Sequence, residues 1–326
     1  MGKWSGRLLI LLGGLIAGVL IAGQVARYNL ARQFPPPGTM VESNGHRLHV
    51  HCEGQGTVTV LLSAGLNDFS VQWSRVQPLL AKKTRTCAYD RAGLGWSDES
   101  QEPASLQSAV SDLQAVLRSE GNQQPVILVG HSYGALPVRA YAQQHPQNIK
   151  AIVLLDPASD FMAEKIPGYT DALDKAAAQF GNLAPLASLG FIAFSTESIP
   201  ANQLQGEALN QYRAVLASGN FFKAAAAETA AMRNNLKAMQ TVPQTALADI
   251  PVVIISRGQS EPIPGLPEHS AQTLEQTWAE LQTDLVQRLH ARQVFAKQSG
   301  HNIQLSQPDL VYESVKPFIT GDLSER

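Results

Sequence analysis

The stretch PVILVGHSYG, residues 125–134, decides the fold of this chain. Its apolar, largely β-branched start predicts a buried parallel strand, and the residues from Ala135 to Tyr141 predict a helix. Ser132 lies between them in a G-x-S-x-G pattern, whose glycines permit a sharp reversal that leaves the serine oxygen exposed above the sheet edge. The helix directs its first N–H groups to the place where an oxyanion would form. The stretch therefore predicts a turn that presents a nucleophile.

Seven more segments predict strands, and the first two are joined by an Asn-Gly turn typical of an antiparallel hairpin. The strand segments are Met40–Glu42, Arg47–His51, Thr57–Leu62, Arg85–Tyr89, Lys150–Leu155, Ile250–Ser256 and Gln293–Lys297. Helical periodicity predicts helices over Trp73–Lys82, Leu106–Glu120, Ala271–Ala291 and Pro308–Phe318. The Ala-rich segment before Ile250 has no β pattern and predicts further helices, over Asp171–Phe180, Glu207–Leu216 and Phe221–Met239.

Composition bounds the class of protein. The 326 residues are 44% hydrophobic, enough for a sizeable core, and carry a formal net charge of -2 with the signs mixed. No basic stripe for a phosphate backbone is present, so nucleic acid is excluded as the expected partner. His49 and His51 alternate to one face of a strand, but no third ligand with suitable spacing accompanies them, which favours a solvated strand face over a metal site.

The N-terminal segment is apolar. Leu8–Ala26 is long enough to cross a bilayer as a helix, and Lys3, Arg7 and Arg27 lie close to its ends. A cleaved signal peptide is the alternative, but a small-x-small cleavage pattern is hard to place near the end of the segment. We therefore expect an uncleaved single-pass anchor, followed by a proline-rich spacer.

The turn at Ser132 and the stretch YDRAGLGWS, Tyr89–Ser97, resemble the serine hydrolases of the α/β-hydrolase fold, in their esterase-like branch. The resemblance covers about residues 40–320 and implies a mostly parallel eight-stranded sheet with helices on both faces. It also implies a helical lid inserted after the sixth strand. The domains expected are an anchor and spacer over 1–34, a core over 35–157 and 249–326, and a lid over 158–248. We interpret the Asp90-Arg91 pair in the glycine-rich loop as scaffolding that fixes the backbone.

The resemblance also assigns a catalytic triad in the order serine, acid, histidine. Ser132 is the expected nucleophile, and His301, which follows the last strand and Gly300, is the expected base. Glu261 is the expected acid because residues 258–262 resemble the family's Gly-x-x-Asp segment. Asp156, at the end of the preceding strand, is the alternative acid.

The oxyanion hole implied by the resemblance has two backbone donors. The family's His-Gly-x sequence after the third strand is replaced here by Ala64-Gly65-Leu66, so one donor is the N–H of Leu66. The other is the N–H of Tyr133, directly after the nucleophile. The missing histidine matters little to a donor that belongs to the backbone.

The resemblance implies cleavage of a carboxylic ester or related small acyl substrate through an acyl-enzyme, with no metal and no cofactor. Two alternatives stay open: cofactor-free perhydrolase or haloperoxidase chemistry on the same triad, and a membrane-tethered binding protein without activity. Epoxide hydrolases and haloalkane dehalogenases are disfavoured, because in those enzymes an aspartate takes the place of Ser132.

Cys52 and Cys87 lie on strands that the implied fold makes antiparallel neighbours. We expect them to form a disulfide, and two buried free thiols are the alternative. A disulfide would place the catalytic domain outside the cytoplasm, attached to the membrane by the anchor. Secretion after signal-peptide cleavage is the alternative localisation.

Overall fold

The computed structural model describes residues 2–119, 125–201, 203–263, 265–266 and 271–321. Some of the predicted ranges extend further. Met1, Glu120 and residues 322–326 lie outside the described residues.

The described part of the chain contains one eight-stranded sheet in the spatial order β1-β2-β4-β3-β5-β6-β7-β8. β2 runs antiparallel to β1 and β4, and every other pair is parallel. The predicted mostly parallel sheet is confirmed. The strands are β1 Thr39–Ser43, β2 His46–Glu53, β3 Thr59–Ser63, β4 Arg85–Tyr89, β5 Val126–His131, β6 Ile149–Leu155, β7 Val252–Arg257 and β8 Arg292–Ala296.

The helices follow the predicted pattern except near Trp73. There the expected single helix is a short 3₁₀ turn, Ser70–Trp73, followed by a separate helix with proline in its first turn. Proline starts a helix easily but cannot continue one, which accounts for the break. The α-helices are α1 Gly2–Gln33, α2 Gln77–Ala81, α3 Leu106–Ser119, α4 Ala135–Gln144, α5 Met162–Lys165, α6 Tyr169–Ser188, α7 Gly206–Leu216, α8 Gly219–Gln240, α9 Ala271–Arg288, α10 Ile303–Ser306 and α11 Pro308–Thr320.

Helices cover both faces of the sheet. On one face, α3, α4 and α9 contribute the fully buried Leu113, Leu136 and Leu285 to the larger apolar cluster. On the other face, α2 and α11 contribute Leu80 and Val311 to the second cluster. Each such side chain stabilises the fold by about 1.5–3 kcal/mol relative to an exposed one. The two clusters hold the parallel strands rigid, so their carboxyl ends form a fixed edge for a site.

The insertion between β6 and β7 is helical, as predicted, and consists of α5 to α8. Its two long helices, α6 and α8, pack along each other. A surface ion pair between Asp174 and Arg233 joins them at 3.0 Å. We call the insertion the lid, and its role is argued with the site.

The N-terminal helix α1 is mostly exposed. Within it Ile10–Gln33 is long and apolar enough to cross a membrane, with a mean hydropathy of 1.8. The same property is shared by signal sequences. Among the described residues, the main contacts of α1 are with the lid, namely with α7 and with the short turn Ile192–Phe194.

The predicted disulfide is confirmed. Cys52 and Cys87 face each other across the antiparallel β2–β4 pair, and their sulfurs are bonded. The two half-cystines are 35 residues apart in the chain. The bridge therefore joins the antiparallel strand β2 to β4, which belongs to the parallel part of the sheet.

Candidate active site

The turn after β5 holds Ser132 in the left-handed region, with φ of 50°. Such a conformation costs a non-glycine residue about 1–3 kcal/mol and clusters at functional sites. The two glycines of the motif are needed for close packing. A Cβ on Gly134 would lie 2.3 Å from the Ser63 carbonyl oxygen, and one on Gly130 would lie 2.9 Å from the Ala135 nitrogen. The sequence therefore produces the sharp turn that exposes the serine.

The ring of His301 is held by Asp156. Its Nδ1 lies 2.6 Å from Asp156 Oδ2, and the carboxylate is fully buried. The other carboxylate oxygen accepts from the indole N–H of Trp278 at 2.9 Å and from the backbone N–H of Arg257 at 3.3 Å. Burial alone would raise the pKa of Asp156, but the hydrogen bond and charge of His301, with the charge of Arg257, hold that pKa below its ordinary value. Asp156 is therefore an ionised partner for the imidazole.

The expected acid, Glu261, does not contact the His301 ring, and this prediction is corrected. Its Oε2 instead accepts the backbone N–H of His301 at 2.5 Å, while its own N–H donates to Glu275 Oε1 at 3.2 Å. The ring nitrogen points toward the end of β6, where Asp156 is already fixed by Trp278. The alternative acid of the sequence analysis thus takes the place that Glu261 was given.

His131, which directly precedes Ser132, holds the backbone of His301. It is buried, and its Nε2 donates to the carbonyl oxygen of His301 at 3.0 Å. Burial, with the neighbouring charge of His301, lowers the pKa of His131 to about 3, so it stays neutral at physiological pH. His301 is therefore held at its backbone N–H, its carbonyl and its ring Nδ1.

The loop expected to form the oxyanion hole is clamped by Arg91. The guanidinium donates to the carbonyl oxygens of Ala64 at 2.7 Å and Gly65 at 2.6 Å. It also donates to both carboxylate oxygens of Glu228 on lid helix α8, at 2.5 and 3.0 Å. Leu66 follows directly and lines the cavity described below. A buried ion pair between core and lid thus fixes the backbone just before the Leu66 N–H. Glu228 Oε2 also accepts the backbone N–H of Asn67 at 2.6 Å, which holds the loop on the other side.

The rest of the Tyr89–Ser97 loop is scaffolding, as interpreted from the sequence. Asp90 accepts backbone N–H groups from Ser70 at 2.7 Å and Trp96 at 3.0 Å. It also bonds the ring of His49 at 2.8 Å. His49 is buried rather than solvated, because Trp96 of this loop covers it. No group of three or more metal-ligating side chains that could hold a metal ion is found among the described residues.

Ser132 and His301 line the same cavity of about 340 Å³, where the lid covers the carboxyl ends of the strands. This volume is typical of sites for small molecules, roughly 300–1,000 Å³. Lid helix α6 builds one wall of it. The apolar side chains from the lid are Met162, Tyr169, Ala172, Leu173, Ala176 and Phe180.

A second carboxylate faces this cavity. Burial raises the pKa of Asp68 to about 6, although the positive charges of Arg91 and His301 act in the opposite direction. Asp68 therefore changes charge close to neutral pH, within the site. A larger cleft, of about 600 Å³, lies between the amino ends of β7 and β8 and helix α11, at the opposite sheet edge from Ser132.

The structure brings four of the predicted site residues to the lining of one cavity: Leu66, Ser132, Glu261 and His301. Tyr133 follows Ser132 in the turn, and Asp156 contacts the His301 ring. Sequence reasoning missed the residues that hold these groups in place. Trp278 lies within the predicted helix Ala271–Ala291 but was not singled out, and nothing in the lid sequence singled out Glu228. The Asp90-Arg91 pair, interpreted as scaffolding, was the one sequence signal of the clamp.

Comparison with known proteins gives a family. A family model described as alpha/beta hydrolase fold matches residues 58–308. An AB hydrolase superfamily protein of Gibberella zeae is 26% identical over 273 residues, which are 76% of this chain and 81% of that protein. Lipase LipV of Mycobacterium tuberculosis is 32% identical over 127 residues, 39% of this chain and 48% of the lipase. The chain spans less than half the length of several curated relatives, including 37% of the uncharacterized protein YbdG of Bacillus subtilis.

Solved structures agree on the fold. The Cif epoxide hydrolase of Acinetobacter nosocomialis matches with a TM-score of 0.70 and 16% identity, covering 92% of this chain and 96% of that one. A thermophilic esterase of Thermogutta terrifontis matches with a TM-score of 0.56 and 15% identity, covering 87% and 98%. At these identities the likeness concerns architecture alone, and enzymes of different chemistry share it.

Proposed function

The protein belongs to the alpha/beta hydrolase fold family, and we propose that it is a serine hydrolase that cleaves carboxylic esters through an acyl-enzyme. The observation that carries the proposal is the fixed imidazole of His301. Asp156 occupies its Nδ1 and the backbone is held from two sides, so Nε2 is the nitrogen that remains for proton transfer in the cavity shared with Ser132. This arrangement of nucleophile, base and buried acid is what ester cleavage by serine requires.

The reaction proceeds in two halves. His301 accepts the hydroxyl proton as Ser132 Oγ attacks the ester carbonyl, and the backbone N–H groups of Leu66 and Tyr133 stabilise the resulting oxyanion. Protonated His301, balanced by Asp156, gives the proton to the departing alcohol, and the ester C–O bond breaks. Water then attacks the acyl-enzyme with His301 again as base, which releases the carboxylic acid and restores Ser132.

The apolar wall of the cavity supports an ester with an apolar acyl or alcohol part. At about 340 Å³ the cavity suits a small or medium substrate, and lid helix α6 gives it an apolar wall. The similarity to a lipase points in the same direction. Ser132 occupies the elbow position, which disfavours the aspartate-based chemistry of epoxide hydrolases.

We also propose that α1 anchors the enzyme in a membrane, with the catalytic domain on the outer side. The length and hydropathy of Ile10–Gln33 support an anchor, and the Cys52–Cys87 bridge supports an oxidising compartment. The contact between α1 and the lid supports a retained helix, since cleavage would remove that packing.

The test compares two carboxylates that touch the same histidine. Asp156→Asn should lower kcat by about 10⁴ because the amide no longer stabilises the imidazolium. Glu261→Gln keeps an oxygen for the His301 N–H and should change kcat far less. Labelling by a fluorophosphonate should disappear in Ser132→Ala. A serine-independent labelling reaction, or a larger loss in Glu261→Gln than in Asp156→Asn, would contradict the proposal.

A further inference from the structure

The lid carries an exposed apolar patch at the end of α6 and in the turn that follows. Its members are exposed to between 38% and 57%, whereas large apolar side chains elsewhere on the described catalytic domain are mostly buried. Scattered exposed apolar residues are ordinary, but a cluster in one short segment marks a surface that something covers. We call this set the lid tip: Leu186, Leu189, Phe191 and Phe194.

The lid tip lies directly against the anchor helix. The backbones of Gly23 and Gly190 touch, and a Cβ on Gly23 would lie 2.9 Å from the Gly190 carbonyl oxygen. Beside this contact the side-chain amide of Gln24 donates to the Ser188 carbonyl oxygen at 2.8 Å. Ser188 is the last residue of α6, whose carbonyl has no partner within the helix. The contact therefore pairs a polar group that lipid would leave unsatisfied.

This contact fixes the depth of the lid tip. If Leu8–Ala26 crosses the bilayer, Gly23 lies roughly 4–5 Å inside the hydrocarbon boundary, at 1.5 Å of rise per residue. The segment that touches Gly23 must then lie at the same level, and the apolar side chains on both sides of Gly190 reach the boundary with it. Interfacial apolar faces are buried to a similar depth, about 5–10 Å.

We propose that the lid tip is a membrane-binding surface that inserts into the bilayer crossed by α1, and that the active site takes its ester from that bilayer. The inference rests on the proposed anchor and the proposed hydrolase activity. Helix α6 connects the two places, because Tyr169 and Phe180 on it line the cavity and Leu189 follows its end. From Phe180 to Leu189 the helix rises about 13 Å. The substrate is therefore a lipophilic ester that partitions into the membrane.

A fluorescence experiment tests the surface without reference to activity. The only two cysteines are bridged, so Phe194→Cys in the full chain offers a single thiol for an NBD label. Phe295→Cys is the matched control, because Phe295 on β8 is 54% exposed and Phe194 is 57% exposed. In phosphatidylcholine nanodiscs containing doxyl-labelled lipid, the label at 194 should be quenched and the label at 295 should not. An unquenched label at position 194 would overturn the proposal. So would quenching that does not depend on the doxyl lipid and rises with the number of protein copies per nanodisc, because that result would indicate that a second copy covers the lid tip.

A kinetic experiment tests the substrate class. Phe191→Asp/Phe194→Asp should lower kcat/KM for a long-chain ester embedded in vesicles on the order of tenfold, with a water-soluble short ester unaffected. Phe295→Asp should change neither. Equal kcat/KM on the embedded ester in both variants would refute delivery from the bilayer. If no ester is hydrolysed at all, the proposed function fails. Quenching of the label at position 194 by the doxyl lipid would still show whether the lid tip inserts into the bilayer.

Discussion

Replacement of Glu228 by alanine tests whether the lid holds the oxyanion loop in place. Arg91 and Glu228 are nearly fully buried, with side chains 5% and 8% exposed. Burial alone would lower the pKa of Arg91, but Glu228 outweighs it, so the guanidinium stays charged. Glu228→Ala leaves that charge with three backbone acceptors, the carbonyl oxygens of Ala64, Gly65 and Asp68, and without a carboxylate hydrogen-bonded to it.

The magnitude follows from burial of the pair. Removing one partner of a buried ion pair costs about 3–5 kcal/mol, a large part of the stability of a domain. For a chain of 326 residues, with an unfolding entropy of about 2.1 cal/mol/K per residue, that loss lowers Tm by roughly 4–7 °C. The released loop carries the Leu66 N–H, and loss of one oxyanion donor lowers kcat by up to about 10²–10³. KM should change much less, because the donor acts on the transition state.

The assay is thermal unfolding of the full chain in detergent, together with kcat on a soluble ester at a temperature where each variant is folded. Asp98→Ala is the control, since it breaks an ion pair with Arg47 that has a similar 2.8 Å separation but is 41–54% exposed. Exposed pairs contribute about 0–1 kcal/mol. If Glu228→Ala lowers Tm no more than Asp98→Ala does, or leaves kcat unchanged, the clamp does not hold the loop.

Two further outcomes concern stability. The pKa of Asp68, raised to about 6 from its ordinary 3.8, means that the folded state binds this proton more tightly. The contribution of Asp68 to stability is therefore greatest below pH 3.8 and is lost as pH rises through about 6. Asp68→Asn should therefore be more stable than the wild type by up to about 3 kcal/mol at pH 8, with the difference closing toward pH 4; an equal difference at both pH values would contradict this. The Cys52→Ser/Cys87→Ser variant should lose about 2–4 kcal/mol, and dithiothreitol should lower the wild-type Tm but leave that of the variant unchanged.

Much of the fold was predictable because it depends on local pattern. The eight strands are continuous apolar or alternating runs, and the turn at Ser132 needs glycine at two positions for steric reasons that any sequence with this fold must meet. The disulfide was predictable once the strand order was known. The Arg91–Glu228 clamp was not, because its two members are separated by 137 residues and meet only when α8 packs on the core.

The choice between Asp156 and Glu261 shows where sequence reasoning stops. Both follow strands, β6 and β7, that are parallel neighbours, so both reach the same sheet edge beside His301. The spacing of these residues in the sequence does not show which of the two carboxylates contacts the His301 ring and which contacts its backbone. The selection is made by Trp278 from the distant α9, which donates to Asp156 and packs edge-on to the imidazole at 5.7 Å, so that Nδ1 is directed at that carboxylate. Glu261, with its longer side chain on a later loop, accepts the backbone N–H of His301, so one carboxylate orients the ring and the other holds the backbone of the same histidine.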